Sequence, residues 1–286
     1  MTAPPIPYTA PDQAVQPNAL RSYLTDQIER ILDGLVGLRE GSDPIHDTRV
    51  AIRRVRSTLR VFGAELDQDA AAALERDLKW FAAVLGDVRD AQVQRRRLQA
   101  ALNELPDDVV LGPVSARIKR DLRADEAPAR TRVAEAMDSP RYLDLVTELQ
   151  RWSADPPVHG DIHRKRLRHK ARKAGDKADR RLAEALDAGD DALLHRARKA
   201  AKRARYAAEL IQHDGRSSKF KRNQKHYKRI QSVLGDLQDT VVARSTLRQM
   251  GAGAGTTPGE NGFTFGLLYA REEQLARQCR AAAAML

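Results

Sequence analysis

Apolar residues recur every three or four positions along almost the whole chain after residue 18, which is the period of an amphipathic α-helix. In the first stretch, for example, Leu20, Leu24 and Ile28 share one side of such a helix. Glycine, proline and capping residues interrupt the pattern, as at residues 41–44 and 155–157. The pattern predicts helices at about residues 18–39, 44–62, 69–103, 107–137, 140–152, 162–186, 192–211, 217–250 and 263–285.

Composition supports an all-α fold, because the apolar residues are mainly Ala, Leu and Val and only 5% of residues are aromatic. Residues 1–17 contain five prolines and no basic residue, so they are predicted to be a disordered lead-in and not a signal peptide. No apolar stretch is long enough for a membrane span, and Cys279 is the sole cysteine. A soluble protein of the cytoplasm, with no membrane partner, is therefore expected.

Two motifs occur twice with the same separation. The segment that begins at His46 reappears at His195, and Leu85-Gly86-Asp87 reappears as Leu234-Gly235-Asp236, 149 residues later in both cases. A shared separation without gaps indicates an internal duplication. We predict two tandem four-helix bundles related by a pseudo-two-fold axis, residues 18–138 and 161–286, connected by a helix and linker at 139–160 and together forming one unit, 18–286.

Charge indicates an anionic partner, since Lys and Arg total 50 against 39 for Asp and Glu, a net charge of +11. The second helix carries cations at spacings of three and four residues, which form one narrow stripe, and the seventh helix repeats them. Like charges at these spacings repel, so such a stripe suggests a linear polyanion as its ligand. A solvated face paired with acids of neighbouring helices is the alternative, which the repetition of the stripe makes less favourable. The stripes consist of His46, Arg49, Arg53, Arg56 and Arg60, and of His195, Arg198, Lys202 and Arg205 with Lys199 beside them.

Each histidine lies early in its helix, behind the predicted capping residues Asp43 and Asp190 or Asp191. An oxyanion there would meet backbone N–H groups and the positive end of the helix dipole. A purely structural hydrogen bond is the other interpretation of these histidines. The motifs also contain Arg54 and Arg203, and the same separation matches Arg76 with Lys225 and Lys79 with Lys228, which we include among the predicted ligands. Lys165, Arg168 and Arg172 share one face of a further basic cluster and are possible additional ligands.

The segment from His46 to Phe62 resembles the signature of the CHAD family, the conserved histidine α-helical domain. The Leu85 segment resembles the family's second signature, and the His195 segment resembles the repeat of the first. The resemblance covers about residues 18–285. It implies two four-helix bundles whose basic central surface binds inorganic polyphosphate, with some members located at polyphosphate granules. The phosphate ligands it implies are His46, Arg49, Arg53, Arg56, His195, Arg198, Lys202 and Arg205.

Four repeated acids, Asp87, Asp90, Asp236 and Asp239, allow a metal-dependent phosphohydrolase as an alternative, because the spacing places two carboxylates on one helical face. We expect them instead to be structural partners of arginines from the second and seventh helices. No phosphate-binding glycine loop or nucleophile elbow is visible. The expectation is a binding protein without enzymatic activity, cofactor or bound metal.

Nucleic acid is the remaining alternative partner, expected to bind more weakly because aromatic side chains for base stacking are scarce. Oligomeric state and the preferred length of a polyphosphate chain leave no signal in the sequence.

Overall fold

The computed structural model describes residues 19–160, 162–213 and 217–286. Within these ranges the fold is all-α, as predicted, with a single isolated bridge between Leu66 and Val158 as the one strand-like contact. The predicted disordered lead-in, residues 1–17, lies outside the described residues. The described ranges contain nine α-helices, which are α1 Ala19–Arg39, α2 Ile45–Phe62, α3 Gln68–Asn103, α4 Val114–Met137, α5 Pro140–Ala154, α6 Arg164–Ala188, α7 Asp191–His213, α8 Ser218–Ala254 and α9 Phe263–Ala283.

The helix ends follow the sequence signals in most places. Ser139 accepts a hydrogen bond from the Tyr142 backbone and Asp190 accepts one from Leu193, so both cap the helices that follow them. Two expectations are wrong. Asp43 does not cap α2, because Pro44 occupies the cap position and the Asp43 carboxylate instead accepts from Gln92. Helix α4 begins at Val114 and not near residue 107, because a short 3₁₀ turn and Gly112, at φ +80°, precede it.

Three apolar cores of the described residues hold the helices together, and two of them, the first and the third, contain helices of both repeats. The first lies among α1, α2, α5 and the first half of α3, and it also takes in the end of α7. The second lies among α6, α7, the middle of α8 and the end of α9. The third joins the end of α3 and the start of α4 to the end of α8 and the start of α9. The predicted division of the chain at residues 139–160 therefore separates two sequence repeats and not two separate cores. Helices of both repeats share the first and third cores.

Polar contacts connect the two repeats at the end where the third core lies. Arg97 of α3 forms two hydrogen bonds, of 3.0 and 2.7 Å, with the buried carboxylate of Glu272 in α9. Thr264 accepts a hydrogen bond from the Leu111 backbone and donates one to the Val109 carbonyl, both 2.9 Å. These contacts fix α9 against the first repeat. Among the described helices, none is both long and apolar enough to cross a membrane.

Candidate polyanion-binding site

Helices α2 and α7 pack against each other in the middle of the molecule. Small residues contribute to this contact, since Ala207 and Ala208 of α7 belong to the same apolar core as Ala51 of α2. The basic stripes of both helices border the cleft that opens beside this contact. We call it the central basic cleft; its volume is about 200 Å³, and it is lined by Arg53, Arg56, Ser57, Arg60, Lys199, Lys202 and Arg203.

Arg53 and Lys202 occupy equivalent positions of the two repeats, and both line this one cleft. Equivalent residues come together only near the axis that relates two repeats, so the cleft lies at the pseudo-two-fold axis. Neither side chain has a carboxylate within ion-pairing distance among the described residues. Burial, followed by the charges of the surrounding arginines, lowers the pKa of Lys202 from 10.5 to about 7. These arginines are Arg198, Arg53, Arg49 and Arg205.

The repeated glycines bring one arginine of each repeat close to the backbone of the next helix. A methyl group on Gly86 would lie 3.3 Å from Arg49 Nη1, and one on Gly235 would lie 3.1 Å from Arg198 Nη2. Arg49 Nη1 donates a 3.0 Å hydrogen bond to the Leu85 carbonyl. The group that approaches each of these glycines closely is therefore a guanidinium.

The two histidines differ in their surroundings. His46 is exposed, and partial desolvation followed by the charge of Arg89 lowers its pKa. Arg53 and Arg96 act on it in the same direction. His195 is half-buried, and its Nδ1 atom is buried without a hydrogen-bond partner among the described residues. Burial, then Lys199 and Arg198, lower the pKa of His195. Both imidazoles therefore border positive potential, and Arg89 and Arg96 extend it beyond the ligands predicted from sequence.

The equivalent residues Arg54 and Arg203 have different environments. Arg54 Nε lies 2.6 Å from Glu209 Oε1, so this predicted ligand is held in an ion pair. Arg203 has no carboxylate partner among the described residues and lines the central basic cleft. The difference arises because Arg60 of the first repeat aligns with Glu209 of the second.

Arg56 and Arg60 share one acid. Both donate to Glu75 Oε1, at 2.9 and 2.7 Å through their Nη2 atoms. The equivalent of Arg56, Arg205, donates a 3.0 Å hydrogen bond to the neutral amide of Gln231. Glu75 therefore neutralises part of the stripe on α2, whereas no carboxylate among the described residues forms an ion pair with the stripe on α7.

The four repeated acids do not all have the expected partners. Asp90 lies 3.6 Å from Arg49, as predicted, but Asp87 accepts a 2.8 Å hydrogen bond from Arg132 of α4 and not from α2. For Asp236 and Asp239 the described residues contain no ion pair, although Arg198 and Arg97 are close enough to act on Asp239. Burial raises the pKa of Asp239. No group of three or more His, Cys, Asp and Glu side chains suited to a metal ion occurs in the described ranges.

The remaining predicted ligands lie outside the central basic cleft. All of them are exposed, and in the described parts of the chain none has a carboxylate partner. They therefore add to the positive surface but do not converge on the cleft. These residues are Arg76, Lys79, Lys225 and Lys228, together with Lys165, Arg168 and Arg172 of α6.

A larger basic cleft, which the sequence did not reveal, adjoins the central one and shares Arg60 and Arg203 with it. We call it the α6 cleft; its volume is about 380 Å³, and it is lined by Arg60, Val61, His169, Lys170, Lys173, Ala174, Lys177, Ala200 and Arg203. Of its α6 residues, His169, Lys170 and Lys173 belong to the basic cluster at residues 163–173 of the sequence, and Lys177 follows that cluster. They lie on a face of the helix roughly opposite to Lys165, Arg168 and Arg172.

The chain is similar to known proteins in both sequence and structure. The family model of the CHAD domain matches residues 22–248. Uncharacterized proteins MT2285 and Rv2226 of Mycobacterium tuberculosis, from strains CDC 1551 / Oshkosh and ATCC 25618 / H37Rv, are each 34% identical over 268 residues. These residues are 90% of this chain but 50% of each relative, so the chain spans about half their length.

Two solved structures are similar throughout. The CHAD domain from the plant Ricinus communis is 26% identical, with a TM-score of 0.69 and coverage of 98% of this chain and 97% of that one. PptA from Streptomyces chartreusis is 22% identical, with a TM-score of 0.77 and coverage of 94% and 99%, a likeness of fold alone.

Proposed function

The chain belongs to the CHAD family, and from this membership and the geometry of the central basic cleft we propose that it binds inorganic polyphosphate. The observation that carries the proposal is the meeting of Arg53 and Lys202 in one cleft without a carboxylate partner among the described residues. Clustered cations repel one another in the free protein, and a closely spaced row of phosphates would remove that repulsion.

Capture would be electrostatic and multidentate. The stripe on α2 from His46 to Arg60 extends about 20 Å along the helix, at 1.5 Å per residue, which suits a linear ligand. Guanidinium groups can donate two hydrogen bonds to one phosphate, and binding releases the counterions of the polyanion. This mechanism requires no base or sequence recognition.

Nucleic acid is the less favoured ligand. Single-stranded nucleic acids are bound largely by stacking of bases on aromatic rings. No Phe, Tyr or Trp lines either basic cleft within the described residues. Tyr206, the aromatic ring nearest the α2 and α7 cations, is buried and is covered by Arg54 and Arg205.

We also propose that binding occurs without catalysis. Two of the four repeated acids that could hold a metal ion in a phosphohydrolase, Asp87 and Asp90, each engage an arginine from a different helix. Metal-dependent hydrolysis of polyphosphate is the alternative. Measuring phosphate release from polyphosphate with and without Mg²⁺ or Mn²⁺ distinguishes it from binding alone. Metal-dependent release above the protein-free control would overturn the proposal.

The test of binding is a titration with long-chain polyphosphate and with single- and double-stranded DNA, matched in phosphate. At about 150 mM salt, screening beyond about 8 Å suppresses weak long-range attraction. We expect tight binding of polyphosphate and much weaker binding of DNA. Equal affinity for all three would make nucleic acid the favoured partner.

Charge reversal at Arg53→Glu and Lys202→Glu should weaken polyphosphate binding by about a hundredfold or more, since charges in direct contact with phosphate become repulsive. The matched control is Lys119→Glu with Arg123→Glu, an equal change of charge at exposed positions of α4. Unchanged affinity in the first variant would reject the cleft as the site. Both variants can also be expressed in cells as fluorescent fusions. The Lys119→Glu, Arg123→Glu control should co-localise with polyphosphate granules, whereas the Arg53→Glu, Lys202→Glu variant should not.

A further inference from the structure

The α6 cleft continues the central basic cleft on one side of the molecule. The two clefts share Arg60 and Arg203, so a ligand that leaves the central cleft between these residues enters the α6 cleft directly. Along α2, Arg53 and Arg60 are about 10 Å apart at 1.5 Å per residue. An extended chain of phosphates can therefore contact both clefts at once.

The lining of the α6 cleft is cationic, and no described carboxylate is part of it. Lys173 and Lys177 are exposed and have no ion pair within the described ranges. Lys170 is partly neutralised, because Glu65 lies 2.8 Å from its Nζ atom. Val61, Ala174 and Ala200 complete the lining and leave space between the charged side chains. The free cations of this cleft are thus the two lysines on α6, together with Arg203.

The corresponding place in the other repeat is found by aligning the buried positions of α1 and α6. The buried positions of α1 and α6 superimpose when Leu20 is matched with Leu167 and Leu35 with Leu182. This alignment puts Tyr23 opposite Lys170 and Asp26 opposite Lys173.

Around these two residues, acids and their partners replace the free cations. Tyr23 donates a 3.1 Å hydrogen bond to Glu209, which also pairs with Arg54. Asp26 lies 2.8 Å from His213 Nε2. The duplicated fold therefore accepts paired acids at this place, and the free cations of the α6 cleft are not required by folding.

We propose that the α6 cleft is a second binding site for the polyanion, which holds the stretch of polyphosphate that extends beyond the central basic cleft. This inference rests on the proposed function. It makes binding one-sided with respect to the pseudo-two-fold axis. Chains that reach both clefts gain affinity from Lys173 and Lys177, whereas short chains bind in the central cleft alone.

The experiment compares tripolyphosphate with long-chain polyphosphate as ligands of the full chain and of a Lys173→Gln, Lys177→Gln variant. For the long chain, we expect affinity to fall by about tenfold and the slope of log affinity against log salt to decrease by about two, one for each lost phosphate contact. For tripolyphosphate, both quantities should be unchanged. The matched control, Lys119→Gln with Arg123→Gln, carries the same change in net charge on α4 and should behave as the unaltered chain.

Two results would overturn the second site. One is an equal loss for short and long chains, which would mean that the lysines act on the central cleft. The other is an unchanged affinity for the long chain in a variant whose helical circular dichroism is normal. Failure of the proposed function looks different, because the unaltered chain itself would then show no preference for polyphosphate over DNA.

Discussion

The ammonium group of Lys202 lies in the combined field of arginines from α2 and α7, and the described part of its surroundings contains no acid paired with it. Burial and these charges lower its pKa to about 7, so near neutral pH a substantial fraction of the free protein carries an uncharged Lys202. A bound phosphate chain favours the charged form and must raise this pKa. Binding therefore takes up a proton.

Proton uptake makes the affinity for polyphosphate fall as the pH rises. Below about pH 7 Lys202 is charged before the ligand arrives, whereas above it part of the binding energy is used to protonate the amine. Affinity for long-chain polyphosphate should be about tenfold weaker at about pH 8.5 than at about pH 6.5. Burial and neighbouring cations lower the pKa values of His46 and His195, so these imidazoles lose their charge at a lower pH than an ordinary histidine. Calorimetric titration in two buffers of different ionisation enthalpy would measure the proton uptake.

Lys202→Arg is the control for this prediction, because a guanidinium remains charged throughout the range. Its affinity should be nearly independent of pH between the two conditions. Long chains are used because they have few terminal phosphates to titrate. The same pH dependence in Lys202→Arg would assign the effect to another group.

At this scale the sequence predicted the stripes on α2 and α7 because helical spacing alone determines which side chains share a face. It did not predict that Arg54 is held by Glu209, because that contact joins residues 155 positions apart in the chain. Arg89 and Arg96 were missed as neighbours of His46 for the same reason, since they belong to α3.

Helices α3 and α8 each have a glycine next to an arginine of the proposed site. Gly86 and Gly235 lie beneath the guanidinium groups of Arg49 and Arg198, at distances that leave no room for a methyl group without a shift of some tenths of an ångström. The far end of an arginine is flexible, so the shift costs the fold little. The added methyl group would instead displace the guanidinium, which is part of the proposed binding surface.

Gly86→Ala should therefore separate stability from binding. Alanine favours a helix over glycine by about 1 kcal/mol, so the melting temperature should be unchanged or higher. Affinity for polyphosphate should fall several-fold, because Arg49 is displaced from its hydrogen bond with Leu85.

Gly266→Ala in α9 is the matched control, since no atom lies within 4 Å of the added methyl group. It should gain similar helix stability and keep its affinity. Thermal unfolding and a polyphosphate titration measure both quantities. Normal affinity in Gly86→Ala would show that this arginine does not need its close approach.

Helix α6 shows where helical periodicity is insufficient. The apolar positions Leu167, Ala171 and Ala178 define its buried side, as the pattern predicted. Cations flank that side on both edges, and the sequence favoured the edge with Lys165 and Arg168. The structure places the other edge against α2 and α7. Only the packing of the repeats decides which edge borders a cleft, and no local signal encodes it.

For the molecule as a whole, the repeats predicted from the sequence are not independent bundles in the structure. The first core includes Leu210 and Ile211 of α7, and the third contains Leu98 of α3 beside Leu247 of α8. The duplication was visible because two motifs keep one separation. The shared cores were not visible in the sequence, because an apolar helix face does not indicate which other helix will pack against it. A cleft on the axis between the repeats depends on these shared cores for its shape.

The Arg97–Glu272 pair offers a test of that dependence, because neither residue lines the central basic cleft. The Glu272 carboxylate is buried, and Arg97 donates two hydrogen bonds to it across the repeats. Glu272→Gln keeps the shape but leaves a buried guanidinium without its counter-charge, which costs about 3 kcal/mol in comparable pairs. Melting temperature and urea midpoint should both fall. Affinity for polyphosphate, measured well below the transition, should stay within about twofold because the binding cations are unchanged.

Glu273→Gln controls for the loss of one negative charge on the same helix, since Glu273 forms just a long, exposed contact with Arg277 at 3.9 Å, worth about 0.3 kcal/mol. A second variant, Arg97→Met with Glu272→Leu, removes both charges and should recover much of the lost stability, as an apolar pair can replace a buried ion pair. If Glu272→Gln unfolds at the same urea concentration as Glu273→Gln, the two repeats are held together by their apolar cores alone. If stability is lost in two separate transitions, the repeats fold independently and the shared cores are less cooperative than their packing indicates.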